Sequence, residues 1–136
     1  MKIVALNKKA YHDFQILEKI DAGIVLTGKE ARAVRQGRVQ LKGSFARILK
    51  DELWLLNAHI SSDNPERDRK LLVKKSELKT LIGKTIQKGL SLIPLRVYFK
   101  NNVAKIEIGL CKGLKKWDKR ERIKRRDLER QMLNAK

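Results

Sequence analysis

The chain of 136 residues predicts a mainly β fold with inserted helices, a small antiparallel β-barrel over residues 1–113 followed by a basic tail over 114–136. Three observations lead there. Short alternating or β-branched segments recur between turn residues. Six or seven short strands are interrupted by two or three helical stretches. The last 23 residues hold ten Lys/Arg and four Asp/Glu, with too few apolar side chains to build a core.

The elements follow in order. YHDFQILEKI (11–20) alternates Phe14 and Ile16 with polar neighbours and predicts a strand. Asp21-Ala22-Gly23 predicts a turn into a second, β-branched strand, AGIVL (22–26). In TGKEARAVRQGR the period changes. Thr27 and Glu30 have capping-box spacing, Ala31, Val34 and Arg35 follow at helical offsets, and Gly37 ends the helix. SFARIL (44–49), Lys50-Asp51 and ELWLLNAHI (52–60) predict a hairpin. A polar loop holds Pro65, and KLLV (70–73) makes a brief strand. Ser76 is placed to cap a short helix, ELKTLI, stopped by Gly83. LSLIPLRVYF (90–99) and VAKIEIGLC (103–111) predict long strands, joined by Asn101-Asn102 in a tight turn, with Pro94 at an edge or bulge. An oligonucleotide-binding-fold-like (OB-fold-like) barrel is the economical architecture for such strands.

Charge bounds the function. Lys plus Arg number 33 against 15 Asp plus Glu, a net +18 and a pI near 10.3. That excess implies a polyanionic partner, nucleic acid first and an anionic membrane surface second. No apolar run is long enough to span a membrane, and MKIVALNKKAY lacks the apolar stretch of an export signal. With Cys111 as the single cysteine, a reducing cytosol is the expected compartment.

Catalytic signals are sparse. There is no phosphate-binding glycine loop, HExxH or CxxC, and His12 and His59 each stand alone in strand-like stretches. Cys111 reads as a buried small side chain, and Glu18 and Asp21 have no partner for acid–base work. The chain is expected to be neither an enzyme nor a holder of metal or cofactor. Phe14, Trp54, Tyr98 and Phe99 are expected mostly in the core, with Tyr11 and Phe45 open. Lys29, Arg32, Arg35 and Arg38 recur every third residue, either a phosphate-binding ridge or a solvated helix face.

In the tail, helix-favouring pairs Asp118–Arg122 and Glu121–Arg125 oppose the like-charged pairs Lys115–Lys119, Lys116–Arg120 and Arg126–Arg130. A tail disordered when free and helical against a polyanion is predicted, with Trp117 placed to stack on a base.

ALNKKAYHDFQI, DAGIVLTGKEARAVRQGRVQLKGSFARI, RKLL, IPLRVYFKNNVAKIEIGL and KGLKKWDKRERIKRRD resemble, in order and spacing, the small protein B family of SsrA-binding proteins. The resemblance implies an OB-fold-like barrel and trans-translation, the rescue of stalled bacterial ribosomes. It implies binding to the tRNA-like domain of transfer-messenger RNA. Through that RNA it implies alanyl-tRNA synthetase and elongation factor Tu as partners, and on the ribosome the small-subunit decoding centre and empty mRNA channel. A cytoplasmic monomer without cofactor or membrane partner is expected.

Carried over residue by residue, the resemblance puts Asn7, Lys8, Lys9, Asp21, Ala22, Gly23, Glu30, Arg35, Lys70, Leu71, Leu72, Lys112, Gly113 and Lys115 at the RNA. It gives the tail residues Trp117, Asp118, Lys119 and Arg120 to the ribosome. Asp21 stands where the family pattern leads one to expect Glu, the 61–70 loop is short, and Leu114 and Trp117 depart from their usual types. Two other classes fit the charge. A general RNA-binding module would bind many RNAs alike, and a DNA-compacting protein would prefer duplex DNA.

Overall fold

A computed structural model describes residues 2–86 and 90–114. The expectations for Lys115, Trp117, Asp118, Lys119 and Arg120, and for order in the tail, lie outside those residues. The described chain runs β1 (Lys2–Leu6), α1 (Lys8–Asp13), β2 (Phe14–Ile24), α2 (Gly28–Arg35), β3 (Val39–Gln40), β4 (Phe45–Leu49), β5 (Glu52–Leu56), β6 (His59–Ile60), β7 (Arg69–Leu72), α3 (Lys75–Thr85), β8 (Leu90–Lys100) and β9 (Val103–Gly113).

The large sheet follows the order β1-β8-β4-β5-β7-β2-β9, and β9 pairs back onto β8. Six antiparallel strands therefore close into a ring, with β1 held outside it on β8. Closure is uneven. β8 and β9 pair from Leu90↔Lys112 to Lys100↔Val103, whereas β4 meets β8 through the single pair Ala46↔Leu92. Both tight hairpins use two residues of positive φ, Lys50 (50°) with Asp51 (59°) and Asn101 (52°) with Asn102 (63°). Such turns match the twist of paired strands.

Alternation along the strands buries one face. Leu53, Leu55, Leu71, Ile106 and Ile108 fill the ring's interior, joined by Ala33 and Val34 of α2 and Leu81 of α3. A smaller cluster forms where Ala10 of α1 covers Ile93, Leu95 and Cys111. Gly109 lets these layers meet, since a Cβ there would stand 2.9 Å from Leu95 Cδ1 and 3.0 Å from Cys111 Sγ. Burial pushes the Cys111 thiol up to about 11.

Several local expectations are corrected. Residues 8–13 form a helix, so His12 is helical and the strand begins at Phe14. The Asn7 side chain accepts the Ala10 N–H and starts that helix, which buries only Ala10 and so shows no apolar stripe. Asp21-Ala22-Gly23 is not a turn; β2 runs straight through, pairing Asp21↔Glu107, Ala22↔Ile106 and Gly23↔Lys105. Ala22 is small because it faces the packed interior; at Gly23 a Cβ would make only an ordinary contact with Leu72, at 3.5 Å. Gly83 lies within α3, which starts after Lys74 with no side-chain cap; Ser76 is inside it. β5 ends at Leu56 because Asn57 turns to φ 60°, and His59–Ile60 pairs with Val39–Gln40 in a separate sheet. Trp54 faces outward, between inward Leu53 and Leu55. Pro94 does sit at a bulge, where the register with β9 shifts before Arg96.

Gly109→Ala should lower stability by about 1–3 kcal/mol through overpacking, measured by urea unfolding. Asn102→Ala should cost about 1 kcal/mol, since alanine lacks asparagine's tolerance of positive φ.

Candidate nucleic-acid interface

The site is framed by a buried ion cluster. Thr27 caps α2 by accepting the Glu30 N–H, and Glu30 returns by accepting the Thr27 N–H at 2.9 Å. The same carboxylate takes Arg67 at 2.5 Å and Arg69 at 2.6 Å. Arg69 is fully buried and also donates to the carbonyls of Ala58 and Pro65 at 2.9 Å and Asn64 at 3.3 Å. One guanidinium thus ties α2 to the loop 61–68 and the start of β7. Burial alone would raise the Glu30 carboxyl. The Arg67 hydrogen bond, the Thr27 N–H and the bond and charge of Arg69 reverse this, holding it near 2.

The predicted RNA residues fall into two groups. The first gathers where β2 meets β7 and β9: Asp21, Ala22 and Gly23 with Leu71 and Leu72, and Lys70 alongside. Asp21, Lys70 and Leu72 reach solvent, while Ala22 and Leu71 are buried. Arg35 lies at this end of the long strands, its guanidinium 5.7 Å from the Phe99 ring centroid. It shares a cavity of about 450 Å³ with Lys2, Asn101 and Asn102. The second group is at the opposite end of β2, where exposed Lys112 and Gly113 pair with Gln15 and Phe14, next to Lys8 and Lys9 of α1. At about 3.3 Å per residue the two ends of β2 lie about 30 Å apart.

Two predicted contacts are turned inward. Glu30 is buried, with its oxygens held by Arg67, Arg69 and Thr27. Asn7 is buried too, donating to the Pro94 carbonyl at 2.8 Å. The basic ridge is divided: Lys29 pairs with Asp63 at 2.7 Å, Arg35 stacks on Phe99, and Arg38 lies beyond the end of α2.

Sequence reasoning missed a polar network on the outer face of β2, β8 and β9. Arg96 pairs with buried Glu107 at 3.0 Å, and Lys19 stands 3.8 Å from the other oxygen. The Tyr98 hydroxyl donates to Asp21, and burial together with that bond pushes it up to about 12. The signal was present in the alternation of 96–98 and 105–107, but only the register brings these residues together. Among the described residues no group of three or more His, Cys, Asp or Glu could hold a metal ion. No helix there is long and apolar enough to cross a membrane.

The family model described as SmpB protein matches residues 4–136. An SsrA-binding protein of Carboxydothermus hydrogenoformans is 54% identical, over 98% of this chain and 95% of its own. One from Shouchella clausii is 51% identical, over 98% and 91%. A solved structure described as "tmRNA-SmpB: a journey to the center of the bacterial ribosome" superposes with a TM-score of 0.68 at 41% identity, covering 88% of this chain and 93% of that one.

The ion cluster sets an acid limit. Glu30 titrates near 2 when folded against an ordinary 4.5, so its contribution is complete above pH 4.5 and is lost as pH falls towards 2. Glu30→Gln should flatten the pH dependence of unfolding across that window. At neutral pH it should cost about 3–5 kcal/mol, because Arg69 stays buried without its anion. Thermal melts of both proteins from pH 2 to 7 check this.

Proposed function

The chain belongs to the SmpB protein family, and on that premise we propose that it binds transfer-messenger RNA and acts in trans-translation on the bacterial ribosome. The match to the family over residues 4–136 carries this reading. The charge distribution supports it physically. Basic groups about 30 Å apart along β2 suit a folded RNA recognised by shape and backbone, rather than one short strand.

The body takes the tRNA-like domain of that RNA. Asp21, Lys70 and Leu72 at one end, and Lys8, Lys9, Lys112 and Gly113 at the other, supply its contacts. Arg35 adds a charge beside Phe99. Glu30 acts indirectly, by fixing the loop and strand that carry Lys70 and Leu72. Through the bound RNA the protein supports charging by alanyl-tRNA synthetase and travels with elongation factor Tu. The segment 115–136, with Trp117 and Asp118-Lys119-Arg120, serves the ribosome, at the decoding centre and the empty mRNA channel. The work is placed in the cytoplasm, where ribosomes are.

Binding of the full chain and of a truncation ending at Leu114 tests this, with the tRNA-like domain as probe and excess unrelated tRNA as competitor. Leu114 is kept because its N–H bonds the Asp13 carbonyl at 3.0 Å. Both proteins should hold the RNA against competitor, and only the full chain should support peptide tagging on stalled ribosomes. Loss of binding to competitor tRNA would leave a general RNA-binding module as the better account. Lys112→Ala should weaken binding and reduce the salt slope by about one ion.

A further inference from the structure

The outer face of β4, β5 and β7 carries a tryptophan that the core does not use. Trp54 is opposite Arg47 on β4 and Lys70 on β7, so an indole stands between two cations in one cross-strand row. It belongs to neither buried cluster. Beyond one side of the row lie Leu49, opposite Glu52, and Leu72, 45% and 54% exposed. Arg47 is exposed, with no ion pair among the described residues. Lys70 pairs with Glu52 at 2.9 Å, both half-exposed, so a phosphate would compete with that carboxylate for it.

A partly exposed indole on the outward face of a sheet, with exposed leucines nearby, is unspent contact surface. Its flanking cations and the chain's net +18 select the partner's sign. A flat aromatic on a sheet face, bracketed by cations, is the arrangement on which unpaired bases stack while adjacent phosphates are neutralised. We propose that Trp54 is a stacking platform for an unpaired RNA base, with Arg47 and Lys70 engaging the flanking phosphates. This rests on the RNA-binding reading above and extends it from the Lys70–Leu72 segment across β5 to β4.

The test uses the full chain with Trp117→Phe, which leaves Trp54 as the only tryptophan. Titration with the tRNA-like domain should quench its emission. Trp54→Leu keeps the apolar bulk but removes the π face; it should weaken binding about 5- to 150-fold with the salt slope unchanged, while Trp54→Phe retains most of the affinity. Arg47→Ala should instead lower the salt slope by about one. Melting curves of each variant establish that it is folded.

No quenching, with Trp54→Leu binding as tightly as its parent, overturns the platform and leaves the proposed function standing. Failure of the parent itself to prefer the tRNA-like domain over competitor tRNA overturns that function instead. An affinity unchanged in Trp54→Leu, with self-association in the parent that the variant loses, assigns the patch to a second copy of the chain and overturns the inference.

Discussion

A guanidinium with no access to water is the constraint around which this molecule is arranged. Arg69 needs an anion and several carbonyl acceptors, because an uncompensated buried charge would cost several kcal/mol. Glu30 supplies the anion, and Ala58, Asn64 and Pro65 turn their carbonyls inward to complete the set. Meeting that demand fixes the pitch of α2, the path of the loop 61–68 and the start of β7 together. Lys70 and Leu72, next along β7, inherit their positions from it. The acidic residue in the middle of the basic helix is therefore part of the frame.

The same economy governs the rest of the charge. Glu18 pairs with Lys84, Glu52 with Lys70, Asp63 with Lys29 and Glu107 with Arg96. These acids hold particular lysines and arginines in place, while the large basic excess faces outward. A field of that sign attracts a polyanion at long range.

Much of this was legible in the sequence, and the failures have physical causes. The capping box at Thr27 and Glu30, the Asn-Asn hairpin and the Pro94 bulge were readable because each depends on local backbone chemistry. Asp21-Ala22-Gly23 misled because its residue types favour a turn, while pairing with Glu107, Ile106 and Lys105 on β9 holds it extended. Helix α1 was missed because it buries a single alanine, leaving no period to detect. The inward turn of Glu30 and Asn7 was invisible for a different reason: their partners lie more than thirty residues away, at Arg67, Arg69 and Pro94. The family resemblance named residues for an RNA surface, but could not tell which of them face solvent: Asn7, Ala22, Glu30 and Leu71 are buried.

Cys111 has a practical meaning. Its sulfur is covered by the layer of α1, β8 and β9, and its proton is held far above neutral pH. The thiolate, the form that attacks disulfides and alkylating reagents, is scarce while that layer is closed. The chain thus contains its own chemical clock. The rate at which a disulfide reagent modifies its one thiol reports how often that layer opens, with no second cysteine to compete.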